Sequence, residues 1–391
     1  MKKLLIAGGG YADIPLIKAA KRLGYFVITS GNRPDDMGHP IADKVSLADF
    51  SDAEAILAVA KENKVDGICP CCNDFSALSA AYAAEKLGLP GYDTFATTRL
   101  LHHKDLYRNF AREHQIPSPQ AHAFSSEEDA IAFLGKLSFP VMIKPVDLTG
   151  GKGIAVVESI PEGTRAILDA FAISKAKRIV LEEFVAGTRH GFTAILSKGS
   201  VVFHLVDDEY YHLNQYMVSA ASTPGTVAAE IVTELVTVSE KIAGLLNLVD
   251  GIFHVQFIVK DKKPYIIEIC RRPPGDLYIE LVRYATGFDY ASCLIRCFSG
   301  EAAAWVKQTP VQRNFLRHCV MTDKNGVFKR LNIDAAVQES IVDIFPLLQD
   351  GDTVENYLVQ KAAISFHTFP TVAELRQKSR DMQELIQMEM Y

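Results

Sequence analysis

No stretch of this 391-residue sequence approaches the roughly 18 to 20 consecutive apolar residues that cross a bilayer, so neither a membrane span nor a membrane partner is expected. The apolar run that follows Lys2-Lys3 stops at Gly8, too soon for the core of an export signal, and the default setting is the cytoplasm. An excess of positive charge is missing as well. The formal net charge is −6, which offers no basic field to neutralise a phosphate backbone and argues against nucleic acid as a partner. Seven cysteines, an odd number without a signal, read as reduced thiols and not as a disulfide framework. Zinc sites need two ligand pairs, and no second Cys-x-x-Cys or His pair accompanies Cys69-Pro70-Cys71-Cys72. These cysteines read as small buried residues at a strand end. Internal repeats and low-complexity tracts are also absent. What remains is a globular composition, 48% hydrophobic and 23% charged, in a chain long enough for two or three domains at roughly 150 residues each.

The first hundred residues alternate strand and helix signals: KLLIAG, a helical stretch to about Leu23, YFVITS, a helix near Asp52–Asn63, VDGICP, and a helix near Phe75–Leu87. This alternation predicts a parallel sheet with covering helices. Pro90-Gly91 breaks the pattern, and the spacing of Leu101, Tyr107, Phe110 and Ala111 predicts one helix from Leu100 to about Glu113. Strand-like segments follow, among them FPVMIK, GIAVVES, RIVLEEFV, FTAILS and SVVFHLV. A helix near Ala228–Leu246 and the strands IFHVQFIVK and PYIIEIC come next. The pattern is α+β with antiparallel hairpins. Beyond Gly300 lie GVFKRL, KAAISFH and a charged helical segment from Thr371.

Gly8-Gly9-Gly10 after a strand suggests a dinucleotide fold, but Asp13 stands where that fingerprint needs a third glycine, and Ser30-Gly31-Asn32 lacks the ribose-binding acid. A turn whose amides face a small anionic substrate is one alternative, a purely structural turn the other. In VMIKPVDLTGGKGIAVV a strand delivers Lys144 and a loop carries Gly150, Gly151 and Gly153, which suits bare amides closing over phosphates; a plain hairpin turn remains the alternative. No Ser or Thr follows Lys152, so this is not a Walker A loop. In PYIIEICRRPPGD, Glu268 ends an apolar strand just before Arg271 and Arg272. A carboxylate there suits Mg²⁺, and arginine suits a carboxylate or phosphate; a structural Glu–Arg pair is the plainer reading.

Taken in order over roughly residues 1 to 300, these pieces resemble the ATP-grasp superfamily, and within it carboxylate–amine ligases similar to L-amino acid ligases and to biotin carboxylase. The resemblance implies an α/β and α+β protein: an N-terminal Rossmann-like domain over 1–100, a two-part ATP-grasp domain over 101–300, and a C-terminal subdomain over 301–391 packing on that core. It implies ATP as cofactor, held by Lys104, Lys144, the loop Thr149, Gly150, Gly151, Lys152 and Gly153, and the hinge Glu182, Glu183, Phe184 and Val185. Mg²⁺, with Mn²⁺ as an alternative, falls to Gln256 and Glu268. Lys144, Glu268 and Arg272 become the catalytic set, and Gly9, Gly10, Arg271 and Arg272 the substrate side. The implied reaction is ADP-forming C–N ligation through an acyl phosphate, with a small carboxylate and an amine as partners and a homodimer as a compatible assembly. Carboxylation through carboxyphosphate, or a nucleotide-binding regulator with weakened catalysis, are the alternatives. The departures are Gln256 where the family often has Glu, Cys270 where it has Asn, and Arg189-His190 where an acid near the ribose is expected.

Overall fold

In the computed structural model, which describes residues 1–148 and 151–391, the chain opens as a parallel four-stranded sheet. Its order is Lys44–Val45, Phe26–Thr29, Lys3–Ala7, Gly67–Pro70. The helix Ala53–Asn63 starts where the Asp52 carboxylate accepts from the amides of Glu54 and Ala55. The helix Asp74–Leu87 starts at Asn73, whose side chain accepts from Phe75, and ends at Gly88 in the left-handed conformation. Its first residue, Asp74, is thereby fixed at the edge of this domain.

The Gly8–Gly10 turn is packed into its own domain. A Cβ on Gly9 would lie 2.2 Å from Cε1 of His39, whose ring is buried and joined to Thr29 Oγ1 at 2.9 Å and to the Arg33 carbonyl at 2.9 Å. The Gly10 amide donates to Asp13 at 3.0 Å, and Asp13 also accepts from the Cys72 amide at 3.0 Å. The Gly10 amide is therefore used inside the domain, and neither Gly9 nor Gly10 lines the cavity described below. Gly9→Ala should lower stability by about 1–3 kcal/mol through forced displacement of His39. Denaturant unfolding checks this, and an unchanged midpoint would contradict it.

One helix was expected from Leu100, and two are found, Phe95–His102 and Lys104–Glu113, because His103 is extended between them. Lys104 thus opens a helix instead of lying along one. The next unit is an antiparallel sheet ordered Ala121–Phe124, Ile179–Glu183, Val141–Pro145, Ala155–Val157. Helices Glu127–Leu134 and Ile160–Ile173 pack on it through Leu134, Ile167 and Phe171 against Val141, Ile143 and Leu181.

The second unit is an eight-stranded antiparallel sheet. Its first five strands are Lys263–Cys270, Gly251–Lys260, Thr188–Ser197, Ser200–Tyr210 and Ala220–Thr223. One face is covered by the helix Ala229–Leu246 together with Tyr107 and Phe110. Against the other pack the helices Tyr278–Thr286 and Tyr290–Phe298 and, beyond them, Leu16 and Ile17 of the N-terminal domain, in one continuous core.

The sheet continues through Asn314–Val320, Ala363–Phe369 and Ile341–Pro346. Residues 301–391 are therefore not only a subdomain laid on the core, since three of their strands extend its main sheet. The remainder is a small sheet ordered Thr353–Val354, Gly326–Ile333, Ile386–Met390, with the helix Val372–Leu385 capped by Thr371.

His318 is fully buried in this region with both ring nitrogens unpartnered among the described residues. Burial, then the neighbouring His212 and His367, push its pKa far below the usual value. The folded protein keeps it neutral, whereas the unfolded chain protonates near 6.5. Stability therefore falls as pH drops below that value. The stability difference between the wild type and His318→Leu should move in the variant's favour between about pH 7.5 and about pH 5. Thermal unfolding at the two pH values measures it, and a pH-independent difference would contradict the assignment.

Candidate active site

Between the two sheets lies a cavity of about 300 Å³. One side is apolar, formed by Met142, Ile154, Phe184, Val185, Phe257 and Ile267, a surface suited to a planar aromatic ring. The other carries the charges.

Lys144 comes from the buried strand Val141–Pro145 and is 4% exposed. Its Nζ lies 2.7 Å from Glu182 Oε1, and Arg108 Nε lies 2.8 Å from Oε2 of the same carboxylate. Burial works against the charged form of Glu182, but Arg108 and Lys144 outweigh it and hold its pKa down at about 2. Burial likewise depresses Lys144, and Glu182 opposes that shift. Two cations thus share one carboxylate, and of the three groups Lys144 and Glu182 line the cavity. The surplus positive charge is what an anionic ligand requires. Glu182 is engaged by these cations, so it holds Lys144 in place at the cavity that Glu182 also lines.

Lys104 Nζ donates to the Leu148 carbonyl at 2.9 Å and pins the start of the glycine loop. Thr149 and Gly150 lie outside the described residues. Gly151 lines the cavity at φ +77°, so close to the opposite sheet that a Cβ would meet Tyr216 Cβ at 2.4 Å. Lys152 is exposed, and Gly153 packs under Ile173 and Pro145; neither lines the cavity. Glu183, Phe184 and Val185 do line it, with Glu183 accepting from the Gln120 amide at 2.9 Å.

Gln256 and Glu268 stand directly opposite each other on neighbouring strands. The Gln256 amide nitrogen donates to Glu209 Oε1 at 2.9 Å, which leaves its carbonyl oxygen for another partner. The Glu268 carboxylate accepts no hydrogen bond among the described residues, and its ligand atom lies within 4.8 Å of those of Cys270 and Asp74. Glu268 and Gln256 are hard oxygen donors, as a magnesium ion needs. Cys270 is not: burial pushes its thiol well above the ordinary range and keeps it protonated.

Arg272 reaches the cavity, but its guanidinium is held by Asp74 at 2.8 and 3.1 Å. His102 Nδ1 lies 3.2 Å from the same carboxylate. Burial opposes the charge on Asp74, yet Arg272 and His102 hold its pKa well below the carboxylate range. Arg271 points elsewhere. It is buried against Asp93 at 2.7 Å and donates to the carbonyls of Ile252 and Val249. These contacts join the N-terminal domain to the main sheet, so Arg271 is structural and its assignment to substrate binding is corrected.

Sequence reasoning missed Arg108, Asp74, Glu209 and Arg317. Arg108 follows Lys104 by one helical turn, a spacing that puts both on one face. Asp74 and Arg317 reach the cavity from distant segments, with no local signal.

Residues 102–276 match a family model described as phosphoribosylglycinamide synthetase, ATP-grasp (A) domain. The fold is similar to that of phosphoribosylglycinamide synthetase from Anaerococcus prevotii, with a TM-score of 0.79, 22% identity, and all of both chains covered. It is also similar to L-amino acid ligase from Bacillus licheniformis, with a TM-score of 0.82, 20% identity, and 100% and 99% of the two chains covered. The biotin carboxylase domain of Hydrogenobacter thermophilus 2-oxoglutarate carboxylase, solved with MgADP and bicarbonate, matches with a TM-score of 0.80, 18% identity, and 99% and 90% covered. At these identities the likeness is one of fold. The match to an ATP-grasp domain model covers residues 102–276, and the fold of the whole chain is that of these solved structures.

Proposed function

We propose that this protein is an ADP-forming ligase that activates a carboxylate as an acyl phosphate and passes the acyl group to an amine. The observation that carries this reading is the buried surplus of positive charge that Arg108 and Lys144 build on Glu182, with Lys144 and Glu182 lining the same cavity as the oxygen pair Gln256 and Glu268. The apolar side takes the adenine, with Phe184 and Val185 along it, and Lys144 meets the phosphates. Gly151 approaches them from the loop that Lys104 tethers. Phosphoryl transfer needs positioning and charge neutralisation more than covalent help, which is what these groups offer. Glu268 and the Gln256 carbonyl would hold the magnesium, which when bound neutralises phosphate charge. Arg272, oriented by Asp74, faces the reacting end. Loop closure excludes water from the reactive acyl phosphate. A cytoplasmic setting belongs to the same reading, and among the described residues no helix is long and apolar enough to cross a membrane.

A screen of carboxylates paired with amines, read by phosphate release and nucleotide product, tests the proposal. ADP formed only with both partners supports it; AMP from every productive pair would overturn it. Cys270 favours a second reading, a nucleotide-binding protein with weakened catalysis, because a protonated thiol stands beside Glu268. Under the ligase reading Cys270→Asn should raise apparent Mg²⁺ affinity several-fold by adding an oxygen donor, measured by magnesium titration of ATP turnover. No change would show that position 270 does not reach the metal.

A further inference from the structure

Beside the oxygen pair Gln256 and Glu268, one wall of the cavity carries donors of a different kind. Asp74 opens the helix Asp74–Leu87 of the N-terminal domain, while Glu268 and Cys270, two residues apart, share one face of the strand Lys263–Cys270. A carboxylate oxygen of each acid and the Cys270 sulfur all lie within 4.8 Å of one another, and among the described residues no other three His, Cys, Asp or Glu side chains converge so closely. His254 stands directly opposite Cys270 on the neighbouring strand, which puts both on the same face of the sheet. It lines the cavity and is 6% exposed, yet its Nδ1 has no partner among the described residues. A buried ring nitrogen is seldom left so, and here it adds a fourth donor beside the other three.

Separation and charge point to one class of ligand. The Cys270 thiol donates to Asp74 Oδ1 at 3.6 Å. Bonds of about 2.3 Å to sulfur and about 2.0 Å to oxygen at a tetrahedral ion place two such donors about 3.5 Å apart, so an ion fits where the thiol proton lies. Arg272 already orients the Asp74 carboxylate, through Nε on Oδ1 at 2.8 Å and Nη2 on Oδ2 at 3.1 Å, as the outer partners of a ligating carboxylate do. With the thiol protonated, Asp74 and Glu268 bring two negative charges against the single positive charge of Arg272. A divalent ion that displaces the thiol proton to solvent adds two positive charges and one negative, which makes the group neutral. Magnesium does not suit this set, because sulfur is a poor partner for a hard cation. Thiolate and imidazole beside carboxylates suit zinc.

We propose that Asp74, Glu268 and Cys270, with His254 beside them, form a site for a thiophilic divalent cation of the zinc class, bound with release of the Cys270 proton. The ion joins the N-terminal domain to the main sheet through Asp74. Its binding needs no nucleotide and stands apart from the ligase reading. One consequence rests on that reading: Glu268 cannot serve zinc and magnesium together, so zinc competes with magnesium and inhibits turnover.

Cobalt(II), which replaces zinc and reports a bound thiolate by a charge-transfer absorption in the near ultraviolet, tests the site in the full chain without nucleotide. One cobalt should bind per chain with that absorption, displaced by zinc and not by a large excess of magnesium. Cys270→Ser should abolish the absorption and weaken zinc roughly 100-fold, and Asp74→Asn should weaken zinc roughly tenfold or more. Serine is close to cysteine in size and keeps a hydrogen for Asp74, so the fold is preserved. No absorption, an absorption retained in Cys270→Ser, or unchanged zinc affinity in Asp74→Asn would overturn the proposal. Zinc that binds at Cys270 without competing with magnesium in ATP turnover would remove Glu268 from the site and likewise overturn it. Cobalt binding with the expected absorption by a protein that forms no ADP with any acid and amine would sink the ligase reading instead and leave the metal site standing.

Discussion

Glu182→Ala should lower the stability of the protein by about 3–5 kcal/mol, because it leaves two buried cations without their shared carboxylate. Lys144 and Arg108 sit at 2.7 and 2.8 Å from Glu182, and Lys144 and Arg108 are 4% and 5% exposed, so water cannot take over the role of the anion. Lys144→Met should behave in the opposite way. It removes the surplus charge and leaves Arg108 and Glu182 balanced one to one, so stability should change by about 1 kcal/mol or less while ATP affinity collapses. Denaturant unfolding and nucleotide titration of the two variants separate the roles. Equal stability losses would show that Lys144 serves the fold, and normal ATP affinity in Lys144→Met would remove it from the phosphate site.

Glu268→Gln should reduce turnover by roughly 100- to 1000-fold with little change in stability. The carboxylate is half-buried and accepts no hydrogen bond among the described residues, so the fold does not depend on its charge. Its place opposite Gln256 gives it one evident use, as a donor to a hard cation. Steady-state turnover at saturating magnesium, with thermal unfolding alongside, checks both halves. Full activity would mean the metal is held elsewhere, and a large stability loss would mean Glu268 serves the fold.

The contrast between Glu268 and Gly9 shows what the sequence made legible. Strand periodicity and the run of acid and arginines placed Glu268 and Arg272 at a strand end, and the structure brings Glu268, Lys144 and Gly151 to one cavity. These are local signals, in which a strand sets the face and a turn residue sets the bend. Gly9 carried an equally clear local signal, but its meaning depended on His39, thirty residues away and in contact only after folding. Arg271 and Arg272 are adjacent and chemically alike. One turns to Asp93 and the other to Asp74, a choice made by two distant carboxylates in the N-terminal hundred residues. The same holds for the tail. The strand Asn314–Val320 looks in sequence like any short strand, and its membership of the main sheet is settled by pairing with Ala220–Thr223 across nearly a hundred residues. Arg317 is carried to the cavity by that pairing.

The central claim is that this cavity makes an acyl phosphate. Incubating the protein with ATP, magnesium, hydroxylamine and a panel of carboxylates tests it most directly, because hydroxylamine converts an acyl phosphate to a stable hydroxamate whatever the natural amine. The account predicts a carboxylate-dependent hydroxamate formed with one ADP for each product, and none with Glu268→Gln. AMP and pyrophosphate in place of ADP, or ATP consumption with no hydroxamate from any acid, would contradict it.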